Sequence, residues 1–162
     1  MSLQSTEKPF GHRLLTPPRR STIARAALCL GAVSVLATGV DHIQQYYSAD
    51  YSTVPTIGTL FFLNFVSAVI VAVGLVAPLG RVAGRYADAI RALFALGGIG
   101  IAVLSLAGLL VSESSGLFGF VEHGYRTPIA LAIVAEVAAT IFLVIFLAAN
   151  GTGLQTIRST SR

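Results

Sequence analysis

Charged residues are scarce in this sequence. Asp, Glu, Lys and Arg together make up 11% of its 162 residues, against about 25% in an ordinary soluble domain. Cysteine occurs once, as Cys29, so no disulfide can form within the chain. No Cys/His group has the spacing of a zinc finger or an iron–sulfur site. The catalytic signatures G-x-x-x-x-G-K-[ST], G-x-S-x-G, H-E-x-x-H and C-x-x-C do not occur either. Their absence excludes P-loop ATP hydrolysis, the nucleophile-elbow hydrolases and the common zinc proteases. The polar segments are also too short to fold into a catalytic domain.

What is present is hydrocarbon. Hydrophobic residues reach 54% and mean hydropathy is +0.78. They fall in four long blocks, roughly 22–40, 57–79, 92–111 and 129–149. About 18 or more such residues match a ~30 Å hydrocarbon core at 1.5 Å of helical rise each. The expected fold is therefore all-α, a transmembrane four-helix bundle over residues 22–149. A disordered basic tail (1–21) precedes it and a short polar tail (150–162) follows. Gly98/Ala102 and Ala135/Ala139 are small-residue pairs one turn apart, which let helices approach closely where lipid provides no hydrophobic drive.

The orientation follows from the cations. Ten of the eleven Lys and Arg residues lie in the N-terminal flank (Lys8, Arg13, Arg19, Arg20, Arg25), the second connection (Arg81, Arg85, Arg91) and the C-terminal tail (Arg158, Arg162). The first and third connections, residues 41–56 and 112–128, share only Arg126. The positive-inside rule then puts both termini and the second connection in the cytoplasm. Because the cations flank the apolar blocks, they report topology and do not imply nucleic acid as a partner. A cleaved twin-arginine signal is the competing reading of Arg19-Arg20 and the run after it. That run is long for a signal peptide, and an uncleaved first span is preferred.

Both outer connections carry an acid–His pair, then tyrosine, then a proline that opens the next helix. Asp41-His42, Tyr51 and Pro55 make up the first set, and Glu122-His123, Tyr125 and Pro128 the second. Asn64 lies nine residues past Pro55 and Glu136 eight past Pro128. This order suggests two helical hairpins in tandem. Glu136 is the most informative residue. A carboxylate about 12 Å inside a span costs about 2.5–3.5 kcal/mol unless it faces the bundle, finds a partner or takes a proton. Asn64, at matching depth, is its expected partner, with Ser67 one turn deeper. Glu136 is then either a packing lock or a proton site. The lock is preferred, so Glu136→Gln should be tolerated and Glu136→Leu should strand Asn64.

Asp41, His42, Glu122 and His123 would make a four-ligand zinc or copper site if the outer loops converged; ordinary interfacial residues are the plainer reading. No cofactor is expected otherwise. A buried bis-histidine haem is not expected, since both imidazoles belong to one outer layer. Tyr46, Tyr47, Tyr51 and Tyr125 read as an interfacial aromatic belt, and Arg126 should pair with Glu122, four residues before it.

The segments Asp41-His42-Ile43 through Tyr51, Val54-Pro55-Thr56-Ile57-Gly58, Leu60-Phe61 and Leu63-Asn64 stand out. So do Leu117-Phe118-Gly119-Phe120, Glu122, Gly124-Tyr125-Arg126 and Ala135-Glu136. Together they resemble uncharacterised four-span membrane proteins of high-GC Gram-positive bacteria. The resemblance covers roughly residues 40–140 and implies a bacterial plasma membrane, but no activity. The expected function is a non-catalytic membrane subunit, packing in and stabilising a larger plasma-membrane complex such as a respiratory one. Its partners would be the lipid bilayer and other membrane subunits, or copies of itself. The alternatives are a small homo-oligomeric proton- or metal-coupled transporter using Glu136, and a redox membrane protein using quinone or metal.

Overall fold

The computed structural model describes residues 22–121 and 126–160, with side chains as far as Asn150. The expected N-terminal tail therefore lies outside the described residues, as do Glu122, His123 and Tyr125. Four long helices form an all-α bundle: α1 (Thr22–Ser48), α2 (Ile57–Val76), α4 (Ala87–Ser114) and α5 (Thr127–Thr160), with a one-turn α3 (Leu79–Val82) between α2 and α4. All four are long and apolar enough to cross a membrane. The chain is a multi-pass protein of a lipid environment. The helices run up and down in a ring. α1 lies beside α2 and α5, and α4 closes the ring between them.

Helix ends differ from the hydropathy blocks for identifiable reasons. α1 continues eight residues past Val40, because Asp41, His42 and Gln45 turn inward and are buried instead of ending the span. α2 stops at Val76 because Pro78 has no N–H to continue the ladder. The preceding Ala77 is pushed to extended backbone (ψ 146°), as residues before proline usually are. Arg91 caps the break. Its Nε donates to the Leu75 carbonyl at 3.0 Å and its Nη2 to the Ala77 carbonyl at 2.9 Å. These are orphan acceptors at a helix C-terminus, where a cation also meets the favourable end of the helix dipole. α5 continues as helix to Thr160, through most of the expected C-terminal tail.

The bundle has two unlike halves. The half holding the α1 N-terminus and the α2 C-terminus is tightly packed, with Ala24, Ala27, Leu28, Val35, Val71, Leu75, Ala95, Leu143 and Phe146 among its buried residues. Small residues set its spacing. A Cβ on Gly98 would sit 2.7 Å from Leu143, 3.1 Å from Val35 and 3.3 Å from Val71, so α1, α2 and α5 all converge on this one point of α4. At Gly39 a Cβ would come 2.6 Å from the Ala68 Cβ, so α1 and α2 touch almost backbone to backbone. Ala102 and Ala139, from the two small-residue pairs, are likewise buried.

Candidate functional site

In the other half, where α1 and α4 end and α2 and α5 begin, the packing opens into a cavity of about 320 Å³. α2 and α4 are close where Gly74 meets Phe94 and where Gly98 meets Val71; farther along, the cavity stands between them. Leu60 and Leu63 of α2 and Leu104 of α4 line it and are exposed on the outside of the bundle. Its mouth therefore faces sideways, into the bilayer. The walls are mostly apolar and aromatic, with a few polar groups among them.

α1 supplies the first of these. Asp41 and Gln45 stand one turn apart, and Gln45 Nε2 donates to Asp41 Oδ2 at 2.6 Å. His42 lies against Phe61 with ring centroids 4.8 Å apart. Its Nδ1 is 2.9 Å from the Thr38 carbonyl oxygen. A carbonyl only accepts, so Nδ1 carries the hydrogen, and in the neutral ring Nε2 is an acceptor. Ser105 Oγ of α4 stands 3.0 Å from Nε2 and donates to it. The Glu136 carboxyl of α5 lies close to the same hydroxyl and to Asp41. A side-chain chain thus runs from α1 through α4 to α5, each link on a different helix.

Glu136 is 2% exposed. Its Oε1 has no hydrogen-bond partner, and neither has Asn64 Oδ1 on α2. Both residues line the cavity, as do Ser67, His42 and Gln45. Asn64, Ser67 and Glu136 are thus brought to one site, yet no hydrogen bond joins Asn64 to Glu136. A buried polar atom left unpaired costs about 1–3 kcal/mol. Two such atoms on one cavity mark the place where the bundle is least complete by itself.

The outer-loop expectations fare differently. His42 is not a loop residue: it is buried on α1 with both ring nitrogens engaged. Asp41 is buried beside it. Glu122 and His123 lie outside the described residues, and no group of three or more His, Cys, Asp or Glu residues suited to a metal occurs among the described ones. The tyrosines separate. Tyr47 is exposed at the end of α1, with Tyr46 packed edge-on at 4.9 Å. Tyr51 is buried in the cavity wall, 4.6 Å from Phe61 and 5.4 Å from Phe120. Tyr125 is not among the described residues. Arg126 Nη2 donates to the Tyr51 hydroxyl at 2.8 Å; the expected partner, Glu122, is outside the described residues.

Phe120 reaches the cavity through a tight turn. The backbone N–H and C=O groups of Leu117 and Phe120 bond each other at 2.7 and 2.9 Å. Between them Phe118 (φ 51°) and Gly119 (φ 80°) both take the left-handed backbone that a two-residue reversal requires. Leu117 and Phe120 then both close over the site.

Sequence reasoning missed Ser105, Gln45 and Thr38. A lone serine or threonine in an apolar span is common and has a local use, bonding the carbonyl four residues back. Thr38 and Thr140 do this to Ser34 and Glu136. No pattern in the sequence sets Ser105 apart from these. Compared with known proteins, the chain matches no family model, no curated protein and no solved structure.

Proposed function

We propose that this chain is a non-catalytic bacterial plasma-membrane subunit that holds a small amphiphile, taken sideways from the bilayer into the α2–α4 cavity. The observation that carries the reading is the pair of unpartnered buried oxygens, Asn64 Oδ1 and Glu136 Oε1, lining one laterally open cavity. Ligand sites are commonly apolar pockets of about 300–1,000 Å³ with a few placed polar groups, and this cavity has that character. The distribution of Lys and Arg supports cytoplasmic termini, which put the cavity in the outer leaflet. Lack of a catalytic motif supports a binding role within a larger membrane assembly.

The test is to purify the chain in nanodiscs and compare co-extracted small molecules with those of Gly108→Phe. Gly108 lines the cavity, and a Cβ there meets nothing nearer than Leu117 Cδ2 at 3.7 Å, so a phenyl group has room to fill the space. A compound present with the wild type and lost from the plugged variant supports the reading. Identical extracts from both proteins would refute it. Co-purified membrane proteins in fixed stoichiometry would identify the assembly.

A second reading, a homo-oligomeric proton-coupled transporter, draws on the His42–Ser105–Glu136 chain. A proton can pass along such a chain by inverting each donor and acceptor. A folded, assembled but inactive Glu136→Gln protein would favour the transporter over the subunit.

A further inference from the structure

The hydrogen-bonding groups of the cavity do not select an occupant. The Asn64 amide and the Ser67 hydroxyl both line it, and each can donate as well as accept. Charge is distributed less evenly. Among the described residues Glu136 is the one acidic side chain in the wall, and no Lys or Arg lines the cavity. Gln45, also in the wall, donates to a second carboxyl, Asp41, at 2.6 Å. The contacts of His42 are met by a neutral ring, with Nδ1–H on the Thr38 carbonyl at 2.9 Å and Nε2 at the Ser105 hydroxyl, 3.0 Å away. Arg126 is held at the Tyr51 hydroxyl and is not part of the lining. With the imidazole neutral, the wall carries negative charge or none.

The aromatic wall favours the same sign of ligand. Tyr51 is tilted 33° to Phe61 at 4.6 Å and 76° to Phe120 at 5.4 Å, and all three line the cavity. Rings at such different tilts do not make a single flat slot. An aromatic face attracts a cation within about 6 Å, and quaternary ammonium groups are held in cages of such rings. A carboxylate inside a membrane is costly unless it has a partner, and no cationic side chain of the wall supplies one. The mouth between Leu60, Leu63 and Leu104 gives room for an apolar tail in the bilayer.

Resting on the amphiphile-binding reading above, we propose that the cavity takes an amphiphile with a cationic, phosphate-free head, of the quaternary ammonium or alkylamine class. Glu136 is its counter-ion, and Tyr51, Phe61 and Phe120 surround the head. A phosphate would meet Glu136 and find no cation in the wall, so the same charge count disfavours zwitterionic lipid heads.

The test uses the full chain in an uncharged maltoside detergent, where no lipid head competes, and three probes with one decyl tail. They are decyltrimethylammonium, its hydrocarbon isostere with carbon in place of nitrogen, and decylphosphocholine. Bound probe is measured by extraction and chromatography against empty micelles. The ammonium should bind saturably and about tenfold or more tighter than either of the others, as a desolvated cation against aromatic faces and a carboxylate would. Glu136→Gln keeps the side-chain shape and should reduce that preference, with binding of the hydrocarbon nearly unchanged. Gly108→Phe should abolish binding of all three. Equal binding of ammonium and hydrocarbon, blocked by Gly108→Phe, would overturn the charge rule and leave the amphiphile site standing. Phosphocholine bound as tightly as the ammonium would overturn the phosphate-free head. A Glu136→Gln protein with the full preference would overturn the counter-ion. No saturable binding of any probe would overturn both readings.

Discussion

Glu136 is buried and Asn64 half-buried, and the one enclosed, partnerless oxygen of each belongs to a residue that lines the cavity. That geometry reverses one expectation drawn from the sequence. If the two were hydrogen-bonded, removing either would strand its partner and weaken the bundle. Because no bond joins them, Asn64→Leu removes an unsatisfied buried acceptor and fills space with hydrocarbon. It should stabilise the folded chain by about 1–3 kcal/mol, read as a higher unfolding midpoint in detergent. Glu136→Gln keeps the shape and can still hydrogen-bond Ser105 through its amide, so its midpoint should match the wild type. Glu136→Leu loses the contact to Ser105 but also loses the orphan oxygen, and should stay close to wild type. A clear drop for Asn64→Leu would mean that the asparagine has a structural partner after all. Residues that lower stability while lining a cavity are the usual signature of a site kept for binding.

At the level of the helices, small residues decide which pairs touch. Gly39 brings α1 onto Ala68 of α2, and this close approach helps set how far the two helices can diverge farther on, where the cavity begins. Gly39→Ala should therefore be destabilising, by about 1–3 kcal/mol for a methyl group forced into a packed contact. Gly100 is also helical, but a Cβ added there would meet nothing within 4 Å. Gly100→Ala should be mildly stabilising, by about 0.5–1 kcal/mol from helix propensity alone. Thermal melts of the two variants side by side check the argument; a shift of the same sign in both would discard it. Four helices were legible from hydropathy because a span of hydrocarbon leaves a long continuous record in the sequence. The end of α1 was not. A hydropathy window ends at the first acidic residue, whereas the helix ends only where its backbone ladder fails, and Asp41, His42 and Gln45 lie inside that ladder.

For the whole molecule, the two-part bundle and the charge distribution make one joint prediction. The positive-inside rule predicts that reporter fusions at Gly11, Gly84 and Gly153 read as cytoplasmic. Fusions near Ala49 and Ser115 should read as external. An external reading at Gly84 would invert the molecule and move the cavity to the inner leaflet, without altering its chemistry. Much of this scale can be read from the sequence. Spans as long as the bilayer is thick and a one-sided distribution of arginine are averages over many residues, so they survive uncertainty about any single one.

The site divides along the same line. Glu136 stood out because a carboxylate in hydrocarbon is costly wherever it faces, and Asn64 followed from matching depth on a parallel span. Those are one-dimensional facts, and the sequence by itself determined them along with the all-α class and the number of spans. Which way each side chain points depends on the rotation of its helix, and that is set by packing at places such as Gly98, where α1, α2 and α5 meet α4. Only the tertiary structure could therefore bring Ser105 between His42 and Glu136, turn His42 from a loop ligand into a buried link, and bring Asn64 and Glu136 to one cavity. A helix turned by half a revolution keeps its hydropathy and loses the site.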